Sequence, residues 1–160
     1  MEIYLMRHGI AEEGEPGQPD ASRRLTREGR DKASDVLALA AQAGVRPDLI
    51  LSSPYVRAMQ TAEIARQDLG VVEVVVEFPS AIPSGDPASV WSELREYKQY
   101  RSILLASHEP LVGQLAAYLL NSPGLRIDVK KASIIRIDFA SMTATPHGIL
   151  RWMMVPAMVE

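Results

Sequence analysis

The tripeptide Arg7-His8-Gly9 follows directly on the apolar run Ile3-Tyr4-Leu5-Met6, and its residue types suit phosphoryl chemistry. A neutral imidazole is nucleophilic near pH 7 without a helper base, because its ordinary pKa is about 6.5. Arg7 adds a permanent cation whose fork of donors matches phosphate oxygens. Gly9 lets the backbone turn sharply and approach a ligand closely. Two further segments carry related residues: Ser52-Ser53-Pro54 leads to Arg57, and Ser107-His108 follows Ile103-Leu104-Leu105-Ala106. Singly, each is ordinary. An arginine on a helix is usually solvated, and a lone histidine after a strand is usually a hydrogen-bonded loop or capping residue. The case for function rests on their being brought together.

The elements around them predict that convergence. Short apolar runs at Ile3–Met6, Leu49–Leu51 and Ile103–Ala106 read as buried strands, and the valine-rich Val71–Phe78 reads as a further strand. Between them lie helical patterns. Thr26 is a cap for a helix carrying Ala33, Val36, Leu37, Ala40 and Ala41 on one face, with Gly44 as its stop. Ser53-Pro54 places a capping hydroxyl before a proline at the first helical position, opening a helix to about Gly70. Asp86-Pro87 opens another, through about Tyr100, and a fourth follows Pro110 with Leu111, Val112, Leu115 and Leu119. Ser133 to Phe139 alternates cleanly, and Gly148 to Val155 returns beside it across a turn containing Pro146 and Gly148. The expectation is a single domain over residues 1–160 with a three-layer α/β fold. Its mainly parallel central sheet is flanked by helices and carries an antiparallel C-terminal hairpin. The carboxyl ends of parallel strands share one edge, so Arg7, His8, Arg57 and His108 can meet in one crevice. Two helix N-termini add partial positive charge there. Such a site fits a dianion, and phosphate is the natural occupant.

Composition excludes several classes. The 160 residues contain no cysteine, which removes disulfides, thiolate metal sites and cysteine nucleophiles and fits a cytoplasmic protein. No apolar run approaches the roughly 20 residues that span a bilayer, and no secretory signal is evident, so no membrane partner is expected. A formal net charge of -3 argues against binding nucleic acid by bulk electrostatics.

The motifs, taken together, resemble the histidine phosphatase superfamily, the phosphoglycerate mutase-like fold. The resemblance runs through Leu5-Met6-Arg7-His8-Gly9, Leu25-Thr26-Arg27-Glu28-Gly29, Ser52-Ser53-Pro54 with Arg57-Ala58 and Gln60-Thr61-Ala62, and Ser107-His108-Glu109-Pro110. The short chain, the Gly85-Asp86-Pro87 turn and Ser rather than Gly before His108 are most similar to the SixA-type phosphohistidine phosphatases. That resemblance implies catalytic roles for His8, as nucleophile, and His108, as a hydrogen-bond donor protonated when the dianion is bound. It implies that Arg7 and Arg57 bind the phosphoryl oxygens. It implies no cofactor and no metal, the arginines supplying the positive charge. Phosphohistidine on a signalling or phosphorelay protein is the implied substrate, which suits a chain with little material for a lid. The alternatives are a small-molecule phosphomonoesterase, acting for example on a sugar phosphate, and a degenerate phosphate-binding module without turnover.

Some residues depart from the family pattern or stand outside it. No Asn follows the Arg-His-Gly, where Ile10-Ala11-Glu12-Glu13 stand. Asp86 and Glu109 are the candidates for a proton donor, although Asp-Pro is a strong cap signature and Glu109 suits a helix N-terminus. A phosphohistidine needs less help from such an acid than an alcohol ester does, since imidazole leaves readily. Trp91 and Tyr97 read as packing residues, His147 as a turn residue, and Lys130-Lys131 as a solvated hairpin. Glu12, Glu13 and Glu15 form an acidic surface loop near the mouth. The opposite demands on His8 and His108 predict a bell-shaped pH profile for kcat/KM, its acid limb from His8 and its basic limb partly from His108 or from the substrate.

Overall fold

In a computed structural model of the chain, which describes residues 1–159, six strands form one mixed sheet. They are β1 (Glu2–Arg7), β2 (Leu49–Ser52), β3 (Val76–Glu77), β4 (Ser102–Ser107), β5 (Ile134–Asp138) and β6 (Ile149–Met154). Their order is β3-β2-β4-β1-β5-β6. The β3-β2-β4-β1 part is parallel, while β5 runs antiparallel to both β1 and β6. Four helices cover it: α1 (Arg27–Gln42), α2 (Val56–Asp68), α3 (Pro87–Leu94) and α4 (Leu111–Leu119).

Strand pleating divides the core in two. Ile3 and Leu5, Leu49 and Leu51, and Ile103 and Leu105 face the layer containing α3 and α4. Tyr4 and Met6, Ile50, and Leu104 and Ala106 face α1 and α2. Side chains on adjacent strand residues point to opposite faces, so these near-continuous apolar runs are what a sheet buried on both sides requires. The chain leaves β1 through α1 on one face toward β2, and leaves β4 through α4 on the other face toward β5. Adjacent strands whose connections depart in opposite directions open a crevice at their carboxyl ends. Here those strands are β1 and β4.

Thr26 caps α1 by accepting from the Gly29 N–H at 2.9 Å, and Gly44 ends the segment with φ +83°. Asp86 caps α3 through Ser89 N. Three sequence expectations need correction. The valine-rich segment 71–78 yields a strand only at Val76–Glu77, because residues 71–75 return from the end of α2 to the sheet edge, with Val72 and Val74 in solvent. The helix expected from Pro54 begins at Val56, since the Ser53 hydroxyl closes a turn with Tyr55 N instead of capping a helix. The helix from Pro87 ends at Leu94 and continues to Tyr97 only as a 3₁₀ turn.

One backbone contact holds the turn after β1. A Cβ on Gly9 would lie 2.8 Å from the Gly29 carbonyl oxygen, and one on Gly29 would overlap the Ile10 carbonyl. The first turn of α1 therefore presses directly on the chain beyond His8. Gly29→Ala should cost about 1–3 kcal/mol through forced backbone shifts, measured by denaturant titration, and should lower activity as Gly9 and Ile10 move. Gly124→Ala, where an added methyl meets nothing, is the control and should change stability by less than about 0.5 kcal/mol.

Candidate active site

Arg7 pairs with Ser107 in the β1–β4 register, so the next residues, His8 and His108, leave the sheet side by side. The His8 N–H donates to the Ser107 carbonyl at 3.0 Å, and the two imidazoles have ring centroids 5.1 Å apart. On β2, Ser52 pairs with Ala106, which brings Ser53 to the same edge. In the first turn of α2, Arg57 reaches into this crevice and is 4% exposed. The structure thus brings together His8, His108, Arg57 and, at the end of β1, Arg7.

Hydrogen bonds define the state of His8. Arg57 Nε can only donate, and it donates to His8 Nε2 at 3.3 Å. Nε2 is therefore the unprotonated nitrogen, and the ring proton sits on Nδ1, which donates to the Gly9 carbonyl at 2.6 Å. Gly9 N in turn donates to Thr61 Oγ1 at 3.1 Å, and the Thr61 hydroxyl donates to the Arg57 carbonyl one helical turn earlier. His8 Nε2 thus presents a lone pair beside a guanidinium. His108 Nε2 lies 2.8 Å from Ser53 Oγ, Tyr55 packs edge-on against its ring, and its buried Nδ1 has no partner among the described residues.

Burial sets the charge of both rings. It pushes His8 down to about 4; the Gly9 bond works the other way, while Arg57, Arg7 and Lys131 lower it further. Burial likewise pushes His108 down to about 3, reinforced first by His8 and then by Arg57. Both shifts favour the neutral rings at pH 7. The arginines are anchored from behind. Arg57 Nη1 donates to the Asp20 carbonyl at 2.8 Å and Nη2 to the Asp20 carboxylate at 3.0 Å, from a 3₁₀ turn at Asp20–Ser22. Arg7 Nη1 donates to the Val129 carbonyl at 2.7 Å. The backbone N–H of Ala132, at φ +66°, donates to both the Arg7 and His8 carbonyls.

The two candidate proton donors are occupied as caps. The exposed Asp86 carboxylate accepts from Ser89 N and Ser89 Oγ, and Glu109 accepts from Gly113 N at 2.6 Å. Glu109 also lies near enough to Arg7 for its charge to oppose the lowering that burial imposes on the Arg7 pKa. His147 is exposed in the β5–β6 connection and Trp91 is buried, donating to the carbonyls of Thr143 and Ala144. Lys130 and Lys131 are solvated as expected, but they lie in the approach to β5, not in a hairpin, and reach the site's edge.

Sequence reasoning assigned no role to Asp20, Thr61 or the Val129 carbonyl. For Thr61 a signal existed: it stands four residues after Arg57 on one helix and shares its face. Asp20 sits in a polar loop beside other acids, and no local pattern distinguishes it from them.

Known proteins converge on the same reading. Residues 3–78 match the profile of the Histidine phosphatase superfamily (branch 1). Phosphohistidine phosphatase SixA of Escherichia coli K12 is 31% identical over 160 residues, covering 98% of this chain and 94% of that protein. The solved structure of the protein histidine phosphatase SixA complexed with tungstate is similar at a TM-score of 0.89 and 28% identity, with 100% of both chains covered. The alpha-ribazole phosphatase from Shigella flexneri shares the fold at a TM-score of 0.70 and 22% identity, covering 94% of this chain and 95% of that one. Relatedness that runs along nearly the whole of both chains, on a fold matched throughout, settles the affiliation: this chain belongs to the histidine phosphatase superfamily and is a SixA-like phosphatase.

Proposed function

We propose that the enzyme removes phosphate from phosphohistidine on a signalling or phosphorelay protein, by way of a phosphorylated His8. The observation that carries this reading is the His8 Nε2 lone pair, fixed by the Nδ1–Gly9 bond and facing Arg57. In the first step Nε2 attacks phosphorus, and the bond from phosphorus to the substrate's nitrogen breaks as the new P–N bond forms. The departing imidazole leaves neutral, its remaining ring nitrogen keeping the proton. In the second step water attacks phospho-His8, the P–N bond breaks, and phosphate leaves with His8 restored.

Arg57 and Arg7 hold the phosphoryl oxygens and stabilise the charge that gathers on them in the transition state. His108 donates to the same group once the arriving dianion has raised its pKa. Support for a phosphohistidine substrate comes from the SixA relative and from the capping duties of Asp86 and Glu109. A site whose candidate acids are so engaged is suited to a leaving group that needs no general acid. A small-molecule phosphomonoester is the competing substrate class, and a kcat/KM panel of phosphohistidine protein against sugar phosphates separates them. Preference for one sugar phosphate would overturn the choice.

His8→Ala should abolish hydrolysis of phosphohistidine protein and of an activated aryl phosphate, while the wild type should retain activity in EDTA. A quench without acid followed by mass spectrometry should find phosphate on His8. Turnover by the His8→Ala variant at anything near the wild-type rate rules out the covalent route.

The pH behaviour follows from the two depressed rings. A histidine whose pKa is lowered to about 4 stays neutral, and competent to attack, down to that pH. The acid limb of kcat/KM should therefore lie well below 6.5, in the region of pH 4. The basic limb expected from His108 in kcat/KM does not follow, because burial and its neighbours keep it neutral in the free enzyme. Any limb it causes belongs to kcat, which reports the substrate complex. An acid limb at 6.5 in kcat/KM would show that His8 is not held as described.

Exchanging His108 separates charge from donation. His108→Ala should lower kcat by about 100-fold, the scale of losing one transition-state donor. His108→Asn should keep part of that contribution and lose most where His108 is protonated in the complex. Equal losses in both variants, independent of pH, would assign His108 a structural role.

A further inference from the structure

Beside the end of β1 a cleft of about 420 Å³ opens, lined by Arg7, Ile10, Lys32, Lys130, Lys131 and Ala132. Among the described residues its lining carries four cations and no carboxylate, on a chain whose formal net charge is -3. Arg7 belongs to both this cleft and the site where His8 stands, so the two adjoin at that residue. We propose that this cleft is a second anion subsite, which binds a carboxylate or phosphate carried by the same substrate molecule as the transferable phosphoryl group.

Four observations support it. The wall is built. Ala132 takes a positive φ, and its N–H is shared between the Arg7 and His8 carbonyls, so the turn bearing Lys130 and Lys131 is pinned by main chain to the strand that delivers the nucleophile. Next, Arg7 Nε is buried without a partner among the described residues, while Nη1 is spent on Val129, so the guanidinium retains unused donor capacity. Then the lysine charge reaches the reacting group, since Lys131 helps to hold His8 unprotonated. Finally, the partner of Lys130 is a surface one: it pairs with Asp128 at 3.0 Å on an exposed part of the chain. Such a pair contributes about 0–1 kcal/mol, so an incoming anion displaces it at little cost. The charges of Glu109 and Asp128 also act on Arg7, and the Glu109 carboxylate is bound to Gly113 N.

This inference rests on the phosphatase reading for the placement of the first anion. On the phosphohistidine form of that reading, the second anion is an Asp or Glu side chain flanking the modified histidine. Lysines suit this task, being mobile point charges that meet a carboxylate at variable positions.

Calorimetric titration with phosphonates tests it without turnover. The probes are a series of ω-carboxyalkylphosphonates and bisphosphonates of increasing length, each compared with the alkylphosphonate of equal length. At some length the wild type should favour the doubly anionic probe at least 5-fold, and the preference should shrink as salt is added. Lys130→Ser/Lys131→Ser, checked for an unchanged melting profile, should bring the ratio to within 2-fold of unity. A stronger preference for bisphosphonates assigns a second phosphate, and one for carboxylates assigns an acidic side chain. Phosphohistidine peptides with Glu or Gln beside the modified residue then report the same ratio in kcat/KM. No preference at any length, or a preference that survives the double substitution, overturns the proposal. Because phosphonates are not hydrolysed, the calorimetric result is independent of whether His8 carries the phosphoryl group.

Discussion

The pairing of Arg7 with Ser107 across two buried parallel strands is the constraint on which the site depends. It sets His8 and His108 at equivalent positions just past the sheet, and their separation follows from the spacing of strands. A slip of one residue would exchange the faces of every side chain on the strand. Ile3 and Leu5 would then meet the α1–α2 layer, while Tyr4 and Met6 would meet α3 and α4. Both core layers resist that exchange. The geometry of the two imidazoles is thus specified by hydrophobic residues of the core, and the energy of core packing is what keeps His8 aligned.

The crevice concentrates positive charge where water is scarce, and it does so by keeping the titratable members neutral. His8 and His108 sit beside Arg57 and cannot all be charged together in a buried space. Each arginine is held in place by a polar anchor: Asp20 for Arg57, and the Val129 carbonyl for Arg7. The Nδ1–Gly9 bond then selects which nitrogen of His8 faces the arginine. Substrate binding meets donors already oriented, so reorganisation at the moment of reaction is small.

How much was legible in sequence follows from how local each signal is. The apolar runs at Ile3–Met6 and Ile103–Ala106 revealed their strands because burial on both faces demands unbroken hydrophobicity. The histidines were found because they directly follow those runs. The Thr26 and Asp86 caps were readable for the same reason, a few adjacent residues carrying the whole interaction. Ser53 was misjudged because its hydroxyl serves a turn and His108, which is distant in sequence. Valine content alone overstated the strand at 71–78, since propensity says nothing about how much sheet edge is available to pair with. Asp20 and Lys131 owe their importance to long-range juxtaposition. The turn that bears Lys131 is a product of β5 returning antiparallel beside β1, and no spacing within the chain announces that neighbour.

That turn also separates two things that proteins often have to change together. Ala132 is tied to Arg7 and His8 by its backbone N–H, a bond indifferent to the side chains at positions 130 and 131. Those positions can therefore be repopulated with acids, aromatics or neutral residues while the main-chain path, and with it the aim of His8, stays put. In such a scaffold new substrate preferences are accessible by single exchanges on the rim, without a detour through variants that have lost the chemistry.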